Sequence, residues 1–329
     1  MSFSHAGATA DSHDLALALA PVLSRACDGR LGPIEWFRSR WQRGGAATGF
    51  SIWKRPDGRE IPVFVKFPIG PSEYRWTTEM GRVRDSDWDA QSSFELPTPR
   101  VIAHGTTIGE YDLAWIITER LSGAPLAAGV DAAGIRDLLR AAAEFQARAM
   151  RVMPLGARPA DPDWERLLQR SKEIAKEGEI AHAAKWKDAV KRVHKSLPIL
   201  RGRWHSRPIN AWCHGDLHPG NAMRRGEGGC VLADLALVHP GHWLEDALYL
   251  ERQHWGHADM LFGVKPLTEL ARLRRERGLS VDDHYPELAN VRRVLMAACA
   301  PAVMEREGNP KYLDAALSVI ERMLPQAVK

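Results

Sequence analysis

The hydrophobic pattern of the chain changes near residues 120–124, and this change limits the folds that the sequence can adopt. Before that point, short β-like runs such as residues 50–53 and 61–67 alternate with turns. After it, apolar residues recur at helical spacing, as in residues 131–153, where Asp131 is suited to cap the helix N-terminus. The pattern predicts a small β-rich lobe followed by a larger, mainly helical lobe.

Local signals place further elements within the two parts. Pro56-Asp57-Gly58 predicts a turn, because proline presets one backbone angle and glycine permits the next. Two more strands are predicted at residues 101–103 and 115–118, with a helix over residues 72–89 before them. Other helices are predicted over residues 8–27, 163–176, 180–197, 244–262, 266–277, 283–300 and 311–324.

Composition excludes several classes of protein. With 45 Lys and Arg against 41 Asp and Glu, the net charge of +4 is too small to indicate a nucleic-acid binder. No window approaches the roughly 18 apolar residues of a membrane helix, so no membrane partner is expected. The four scattered cysteines favour neither a disulfide framework nor a cysteine-based zinc site, and the expected compartment is a reducing cytoplasm.

A polar loop at residues 213–221 is the most informative segment for chemistry. Asp216 could accept a proton from an alcohol, and the side-chain oxygen of Asn221, five residues later, suits Mg²⁺. Asp234 follows thirteen residues after Asn221, at the end of a predicted strand, as a natural second magnesium ligand. An ordinary polar turn is the alternative, but the spacing of these three residues disfavours it.

The segment His214-Gly215-Asp216 through Asn221 resembles the HxDxxxxN catalytic loop of the protein-kinase-like fold. In the form HGDLHPGN it is similar to the aminoglycoside phosphotransferase and choline kinase branch. The resemblance implies an α+β fold of two lobes. A small N-terminal antiparallel β-sheet lobe with a leading helix would bind nucleotide over residues 1–120. A larger, mainly helical lobe over residues 121–329 would carry the catalytic loop and the acceptor site.

The same resemblance implies site residues in the second lobe. Asp216 would be the catalytic carboxylate, and His214 and His218 are its candidate catalytic neighbours in the loop. His218 would either donate to the transferring phosphate or brace the loop. Asn221 and Asp234 would hold Mg²⁺, and the resemblance assigns the bracing of the loop to Asp246.

In the first lobe, the resemblance implies that Lys66, at the end of an apolar strand, binds the phosphates of ATP. The glycine-rich stretch that contains Gly45 and Gly49 would cover the nucleotide. It is not a P-loop, because Phe50 stands where lysine is required and a strand follows. The carbonyl of Glu119 and the N–H of Leu121 would bind adenine.

The lysine of this family pairs with a glutamate on the following helix. Glu79 is the predicted partner of Lys66, with Glu73 and Asp85 as alternatives.

The sequence thus predicts an ATP- and Mg²⁺-dependent transfer of the γ-phosphoryl group to a hydroxyl of a small molecule of the antibiotic, sugar or amino-alcohol type. A nucleotide-binding scaffold without turnover and a protein kinase are the alternatives. Residues 161–210 hold 12 Lys and Arg against 7 Asp and Glu, and arginines recur over residues 272–277. Both features argue against a polycationic acceptor.

Overall fold

The computed structural model describes residues 12–37, 46–178, 180–226, 229–303 and 310–329. The chain forms two compact units, one of Met1–Ala124 with Met223–Val238 and one of Pro125–Ala222 with His239–Lys329. The sequence predicts that the chain passes only once from the first lobe to the second, near residues 120–124. In the structure the chain instead returns to the first unit at Met223 and leaves it again after Val238.

A five-stranded antiparallel sheet of order β1-β2-β3-β5-β4 organises the first unit. Its strands are β1 (Glu35–Phe37), β2 (Ala47–Lys54), β3 (Glu60–Phe67), β4 (Val101–Gly105) and β5 (Trp115–Glu119). The four strands predicted before residue 120 all lie in this sheet, and the fifth predicted strand, just before Asp234, corresponds to Cys230–Leu232 in a separate two-stranded pair. The three-residue β1 is too short to leave a pattern that sequence reasoning can find.

The β2–β3 hairpin turns at the predicted Pro-Asp-Gly. Gly58 adopts a φ of 84° and donates its N–H to the carbonyl of Arg55 at 3.0 Å. A side chain would strain this left-handed conformation. The Asp57 carboxylate accepts the N–H of Arg59 at 3.0 Å, which closes the turn from the other side.

Three helices accompany the sheet: α1 (Ser12–Ala26), α2 (Pro71–Gly81) and α3 (Gln91–Phe94). Leu23 of α1 shares one buried cluster with Val63 and Val65 of β3, so α1 covers one face of the sheet. Helix α2 ends eight residues earlier than predicted, and a single 3₁₀ turn, Asp85–Asp87, follows it.

Beyond β5 the chain is mainly helical. The elements are α4 (Ala132–Val152), α5 (Trp164–Glu177), α6 (Ala183–His205), β6 (Ala211–Cys213), β7 (Ala222–Arg224), β8 (Cys230–Leu232), β9 (His239–Gly241), α7 (Leu244–Gln253), α8 (Pro266–Glu276), α9 (Tyr285–Ala298), α10 (Ala300–Val303) and α11 (Pro310–Ala327). Asp131 caps α4 as predicted, accepting the N–H of Gly134 at 2.7 Å. Within the described residues, no helix is both long enough and apolar enough to cross a membrane.

The returning segment, with the paired strands β7 and β8, is bonded into the first unit by Arg225. Its guanidinium donates to the Glu119 carboxylate at 2.6 Å and to the carbonyl of Thr98 at 2.8 Å. The N–H of Leu232 adds a bond to the carbonyl of Pro97 at 2.8 Å. These bonds explain why residues near Asp234 belong to the β-sheet unit although they follow the polar loop of residues 213–221 in sequence.

Candidate active site

The polar loop of residues 213–221 begins at the end of β6, and Asp246 holds its backbone through hydrogen bonds. This residue lies in the first turn of α7 and is 1% exposed. Its carboxylate accepts the backbone N–H of His214 at 3.1 Å and of Gly215 at 3.0 Å. Gly215 has a φ of 84°, which lets the chain turn sharply toward Asp216. Asp246 therefore fixes the path of the backbone on which Asp216 sits.

A buried polar chain continues behind Asp246. Gln146 of α4 donates to its carboxylate at 3.0 Å, and Arg274 of α8 donates to the Gln146 side-chain oxygen at 2.5 Å. Burial lowers the pKa of Arg274 to about 10. The arginines over residues 272–277 were expected to form one basic face, but Arg274 is interior. This run therefore carries no information about the acceptor.

The carboxylate of Asp216 accepts hydrogen bonds on both oxygens. Tyr249 donates its hydroxyl to Oδ1 at 2.5 Å, and Asn221 donates Nδ2 to Oδ2 at 2.9 Å. His218 lies with Nε2 3.5 Å from Oδ2. The interaction with His218, followed by the bonds from Tyr249 and Asn221, holds the pKa of Asp216 well below its usual range. The group is therefore ionised throughout the neutral and mildly acidic range.

The two histidines of the loop have different surroundings. His214 is fully buried beside Phe145, with ring centroids 6.0 Å apart, and its Nδ1 accepts the N–H of Asp216 at 3.3 Å. The buried ring therefore supports the loop from within the second unit. His218 is 28% exposed, and its Nδ1 accepts the N–H of Gly220 at 3.0 Å.

Asn221 ends a 3₁₀ turn, Pro219–Asn221, that follows His218. Its Nδ2 also donates to the carbonyl of Asp216 at 3.1 Å. Both bonds use the amide nitrogen, and among the described residues nothing donates to the side-chain oxygen of Asn221. An amide oxygen without a donor is suited to a hard cation such as Mg²⁺.

In the first unit, Lys66 of β3 is paired with Glu73, and its Nζ lies 3.7 Å from Oδ1 of Asp234. Glu73 lies in the first turn of α2 and is buried. Burial raises the pKa of Glu73, while the charge of Lys66 opposes this shift. The three residues form a compact charged group of one cation and two carboxylates.

The predicted pairing of Lys66 with Glu79 is wrong. Glu79 is half-buried, and its only ion pair among the described residues is with Arg82, at 3.8 Å. It lies six residues after Glu73 on α2, which at about 100° per residue points it to a different side of the helix. The alternative Asp85 lies beyond the end of α2, in the 3₁₀ turn.

Asp234 has a left-handed backbone, with φ 60° and ψ 66°, directly after β8. For a residue other than glycine this conformation costs on the order of 1 kcal/mol and is concentrated at functional sites. Its side chain is 48% exposed. The structure thus presents a carboxylate beside Lys66 that is free to take another ligand.

The other residues predicted to bind nucleotide have varied surroundings. Gly45 lies outside the described residues. Gly49 is required by packing, because a Cβ there would lie 2.6 Å from Cγ2 of Ile34. The Glu119 side chain is buried and holds Arg225, while the N–H of Leu121 has no hydrogen-bond partner among the described residues. A free N–H directly after β5 is consistent with the predicted adenine contact.

Tyr249 is the site residue that sequence reasoning missed. It lies three residues after Asp246 on α7, and residues at this spacing share one helix face. Since Asp246 was expected to face the loop, the same spacing could have indicated Tyr249. Burial, and then the bond to Asp216, raise the pKa of Tyr249 to about 12, so the phenol remains a hydrogen-bond donor.

A second group of possible metal ligands consists of Cys213, His239 and Glu245, whose ligand atoms lie within 4.8 Å of one another. The Cys213 thiol donates to the carbonyl of His242 at 3.3 Å, and burial raises its pKa well above the ordinary value. The Glu245 carboxylate is already bound by Arg207 at 3.2 Å. A protonated thiol and a neutralised carboxylate are poor ligands, so we assign no metal to this group.

Several solved structures share this fold. An aminoglycoside phosphotransferase from Alicyclobacillus acidocaldarius is 14% identical, with 92% of each chain covered and a TM-score of 0.50. A choline/ethanolamine kinase family protein from Mesorhizobium loti is 12% identical, with 93% of this chain and 98% of that chain covered and a TM-score of 0.51. A spectinomycin phosphotransferase in complex with ADP and spectinomycin is 10% identical, with coverages of 90% and 94% and a TM-score of 0.50.

These similarities confirm the predicted kinase-like fold, with its antiparallel sheet followed by a mainly helical part. No curated protein sequence matches the chain significantly. The model of the phosphotransferase enzyme family matches residues 83–291, nearly two thirds of the sequence, and includes the loop with Asp216 and the helix with Asp246. The chain therefore belongs to this phosphotransferase enzyme family.

Proposed function

We propose that the protein is a small-molecule kinase that transfers the γ-phosphoryl group of ATP to a hydroxyl of its acceptor. The observation that carries this proposal is the Asp216 carboxylate, held ionised by Tyr249, His218 and Asn221 on a loop that Asp246 fixes from behind. Phosphoryl transfer requires such a positioned carboxylate to orient the attacking hydroxyl.

On the acceptor side, Asp216 orients the substrate hydroxyl by accepting its hydrogen bond. Because its pKa is low, the carboxylate is a weak base. The proton therefore moves to it late, as the oxygen–phosphorus bond forms and the hydroxyl becomes acidic. His218 braces the carboxylate and His214 positions the loop; neither needs to exchange a proton.

On the donor side, Lys66 supplies fixed positive charge to the ATP phosphates. Glu73 keeps the lysine oriented through the buried ion pair that the structure contains. The carbonyl of Glu119 and the N–H of Leu121 hold the adenine. The proposal for Leu121 is supported by its unpaired N–H.

Magnesium is the ion that this donor set suits. The Asn221 side-chain oxygen and the Asp234 carboxylate are hard oxygen ligands, and we propose that they hold Mg²⁺. Among the residues that the structure describes, nothing donates to the Asn221 oxygen, and the half-exposed Asp234 carboxylate has Nζ of Lys66 3.7 Å from Oδ1. When bound, the ion would neutralise phosphate charge.

Two alternatives from the sequence lose support. A protein kinase would need an activation segment, but Asp234 and Asp246 are separated by only 11 residues. These residues contain a 3₁₀ turn, β9 and the start of α7. A nucleotide-binding scaffold would not need the ordered bonds around Asp216.

The test is a screen for acceptor-dependent consumption of ATP across hydroxylated metabolites and antibiotics, with the phosphorylated product identified by mass spectrometry. The same screen with Asp216→Asn is the control. We expect at least one acceptor to be phosphorylated by the wild type and to be phosphorylated far more slowly by the variant. ATP binding without any acceptor-dependent turnover would support the scaffold.

A further inference from the structure

A cavity of about 260 Å³ lies within the second unit, beside the catalytic loop. It is bounded by Gly215 of the loop and by Tyr249, whose hydroxyl donates to Asp216. Trp164 of α5 and Arg292 of α9 form other parts of its wall. This volume is just below the roughly 300–1,000 Å³ of pockets for drug-sized ligands. The cavity thus has room for a small acceptor close to the catalytic carboxylate.

The two carboxylates that line the cavity are already occupied. Asp246 accepts N–H bonds from the catalytic loop and from α4, as described above. Glu245 accepts Arg207 at 3.2 Å and the N–H of His242 at 2.9 Å. Burial would raise the pKa of Glu245, but the hydrogen bond from His239 and the neighbouring arginines lower it to about 2. The bonds from Arg207 and His242 fall on Oε1 of Glu245, and its Oε2 lies 3.7 Å from Nη2 of Arg292 and 3.8 Å from Nε2 of His239, so neither carboxylate offers a free oxygen to a cationic ligand.

Several N–H donors of residues that line the cavity are, in contrast, not satisfied, although Nη2 of Arg292 lies 3.7 Å from Oε2 of Glu245. Among the described residues, the Arg252 guanidinium makes no hydrogen bond or ion pair, and it lies 5.3 Å from the Tyr249 ring centroid. Nη1 of Arg292 and Nε1 of Trp164 are buried without a partner in the described part of the chain. Arg292 also stacks on the Trp164 ring, at 5.1 Å from its centroid. The residues that line the cavity therefore have more unpaired N–H donors than free acceptor atoms, and a ligand would have to supply the missing acceptors.

We propose that this cavity is the acceptor subsite and that it selects a small hydroxylated molecule carrying an oxyanion, a carboxylate or phosphate group, bound by Arg252. The proposal rests on the proposed function. The planar guanidinium, with five N–H donors, matches both oxyanions in a bidentate geometry. The acceptor hydroxyl then lies on the side of the cavity formed by Gly215 and Tyr249, next to Asp216.

The test uses two series of compounds matched in carbon skeleton. The three-carbon series consists of glycerate, glycerol 3-phosphate, glycerol and 3-amino-1,2-propanediol. The six-carbon series consists of gluconate, glucose 6-phosphate, sorbitol and glucamine. For each compound, kcat/KM is measured from ADP release with MgATP, and the product is identified by mass spectrometry. The carboxylate and phosphate members distinguish the two kinds of oxyanion.

We expect an anionic member of at least one series to exceed its neutral and cationic counterparts by about tenfold or more, the ratio that corresponds to about 1.4 kcal/mol. Arg252→Gln should raise the KM of that member by about tenfold or more while changing kcat less, and Arg252→Lys should restore part of the loss. Arg201→Gln, at an exposed arginine of α6, is the matched control and should leave KM unchanged.

Three results would overturn the proposal. The neutral or cationic members could be the better acceptors, Arg252→Gln could leave the anionic preference intact, or none of the anionic members could raise ADP release. MgATP-dependent thermal stabilisation of the wild type separates these failures from failure of the proposed function. If MgATP stabilises the protein, only the anionic acceptor is rejected. If MgATP neither stabilises the protein nor is consumed with any compound, the proposed function fails as well.

Discussion

The Tyr249 hydroxyl donates to Oδ1 of Asp216 at 2.5 Å, and this bond joins helix α7 to the catalytic carboxylate. Asp246, one turn earlier on the same helix, holds the loop backbone. One helix thus holds the path of the loop backbone and contributes, after His218, to keeping the Asp216 carboxylate ionised. A change at Tyr249 should therefore alter the titration of Asp216 without moving the loop.

We predict that Tyr249→Phe raises the pKa of Asp216 and lowers the free energy of unfolding by about 1 kcal/mol at neutral pH. A carboxylate with a depressed native pKa contributes stability above its unfolded pKa of about 3.9 and loses that contribution as the pH falls toward the native pKa. The unfolded pKa is the same in both proteins, so the difference in stability between wild type and variant should be full at neutral pH and shrink only where the pH falls below the native pKa of Asp216 in the variant.

The measurement is urea denaturation from pH 3 to 7, together with a carbon NMR titration of the Asp216 carboxyl. Tyr111→Phe, at an exposed tyrosine of the other unit, is the control for losing a phenol oxygen. An Asp216 carboxyl that titrates at the same pH in the wild type and in Tyr249→Phe would show that the hydroxyl does not act on its ionisation.

Asp216→Asn should stop the chemistry while ATP remains bound. The variant keeps the size of the side chain and loses its charge and its capacity to accept a proton. General-base and positioning contributions are typically about 100- to 10,000-fold, so kcat should fall within or beyond that range. The checks are kcat with an identified acceptor and a calorimetric titration with MgATP. A loss below about tenfold, or about 1.4 kcal/mol, would remove Asp216 from the catalytic role.

Periodicity and turn chemistry were sufficient to predict most elements of the fold, because each signal is local. The Pro-Asp-Gly turn and the Asp131 cap depend on residues within four positions of one another. The return of residues 223–238 to the β-sheet unit was not predictable in this way. It depends on Arg225, which bonds to Glu119 more than a hundred residues earlier in the chain.

The candidate site, like the fold, combines features that a local sequence signal predicts with features that depend on residues distant in the sequence. The spacing of Asp216, Asn221 and Asp234 is a motif and could be recognised in the sequence. The partner of Lys66 depends on which side of α2 faces β3 and on where that helix begins, and neither is encoded in a spacing. The interior position of Arg274 was missed for a related reason, since an arginine run usually indicates a solvated helix face.

The ion pair of Lys66 with Glu73 leads to a paired prediction on α2. Glu73→Gln should reduce kcat/KM for ATP by about tenfold or more, because the lysine loses the charge that orients it. Glu79→Gln removes the same charge from the same helix, at a half-buried position outside the Lys66–Glu73 ion pair, and should stay within about twofold. Steady-state kinetics on both variants will show which of the two glutamates orients Lys66. Greater damage from Glu79→Gln would restore the pairing that the sequence first indicated.

Stabilisation by ATP should depend on a divalent ion. If Asn221 and Asp234 hold Mg²⁺, adding ATP with Mg²⁺ should raise Tm more than adding ATP with a chelator. Asp234→Ala should remove most of this difference and abolish turnover, since the phosphate charge is no longer neutralised. Thermal shift assays with ATP, with Mg²⁺ and with both provide the measurement. Equal stabilisation by ATP with and without the ion would contradict the ligand assignment.

The buried chain from Arg274 through Gln146 to Asp246 should be a stability element of the second unit. Gln146→Leu preserves the approximate volume but leaves Nη1 of Arg274 without its acceptor and Asp246 without one donor, both at buried residues, while Nε and Nη2 of Arg274 still donate to the carbonyl of Ser280. Each orphaned buried group costs about 1–3 kcal/mol, and more when it is charged. We therefore expect the free energy of unfolding to fall by about 2–4 kcal/mol.

Gln169→Leu is the matched control for this prediction. Gln169 lies on α5, is exposed, and donates only to Glu173 one turn away, at 3.1 Å. The same chemical change there should alter stability by no more than about 0.5 kcal/mol. Chemical denaturation of both variants, with m-values compared to exclude a change in the denatured state, provides the measurement. Equal effects of the two substitutions would show that the Arg274–Gln146–Asp246 chain does not stabilise the fold that holds the catalytic loop.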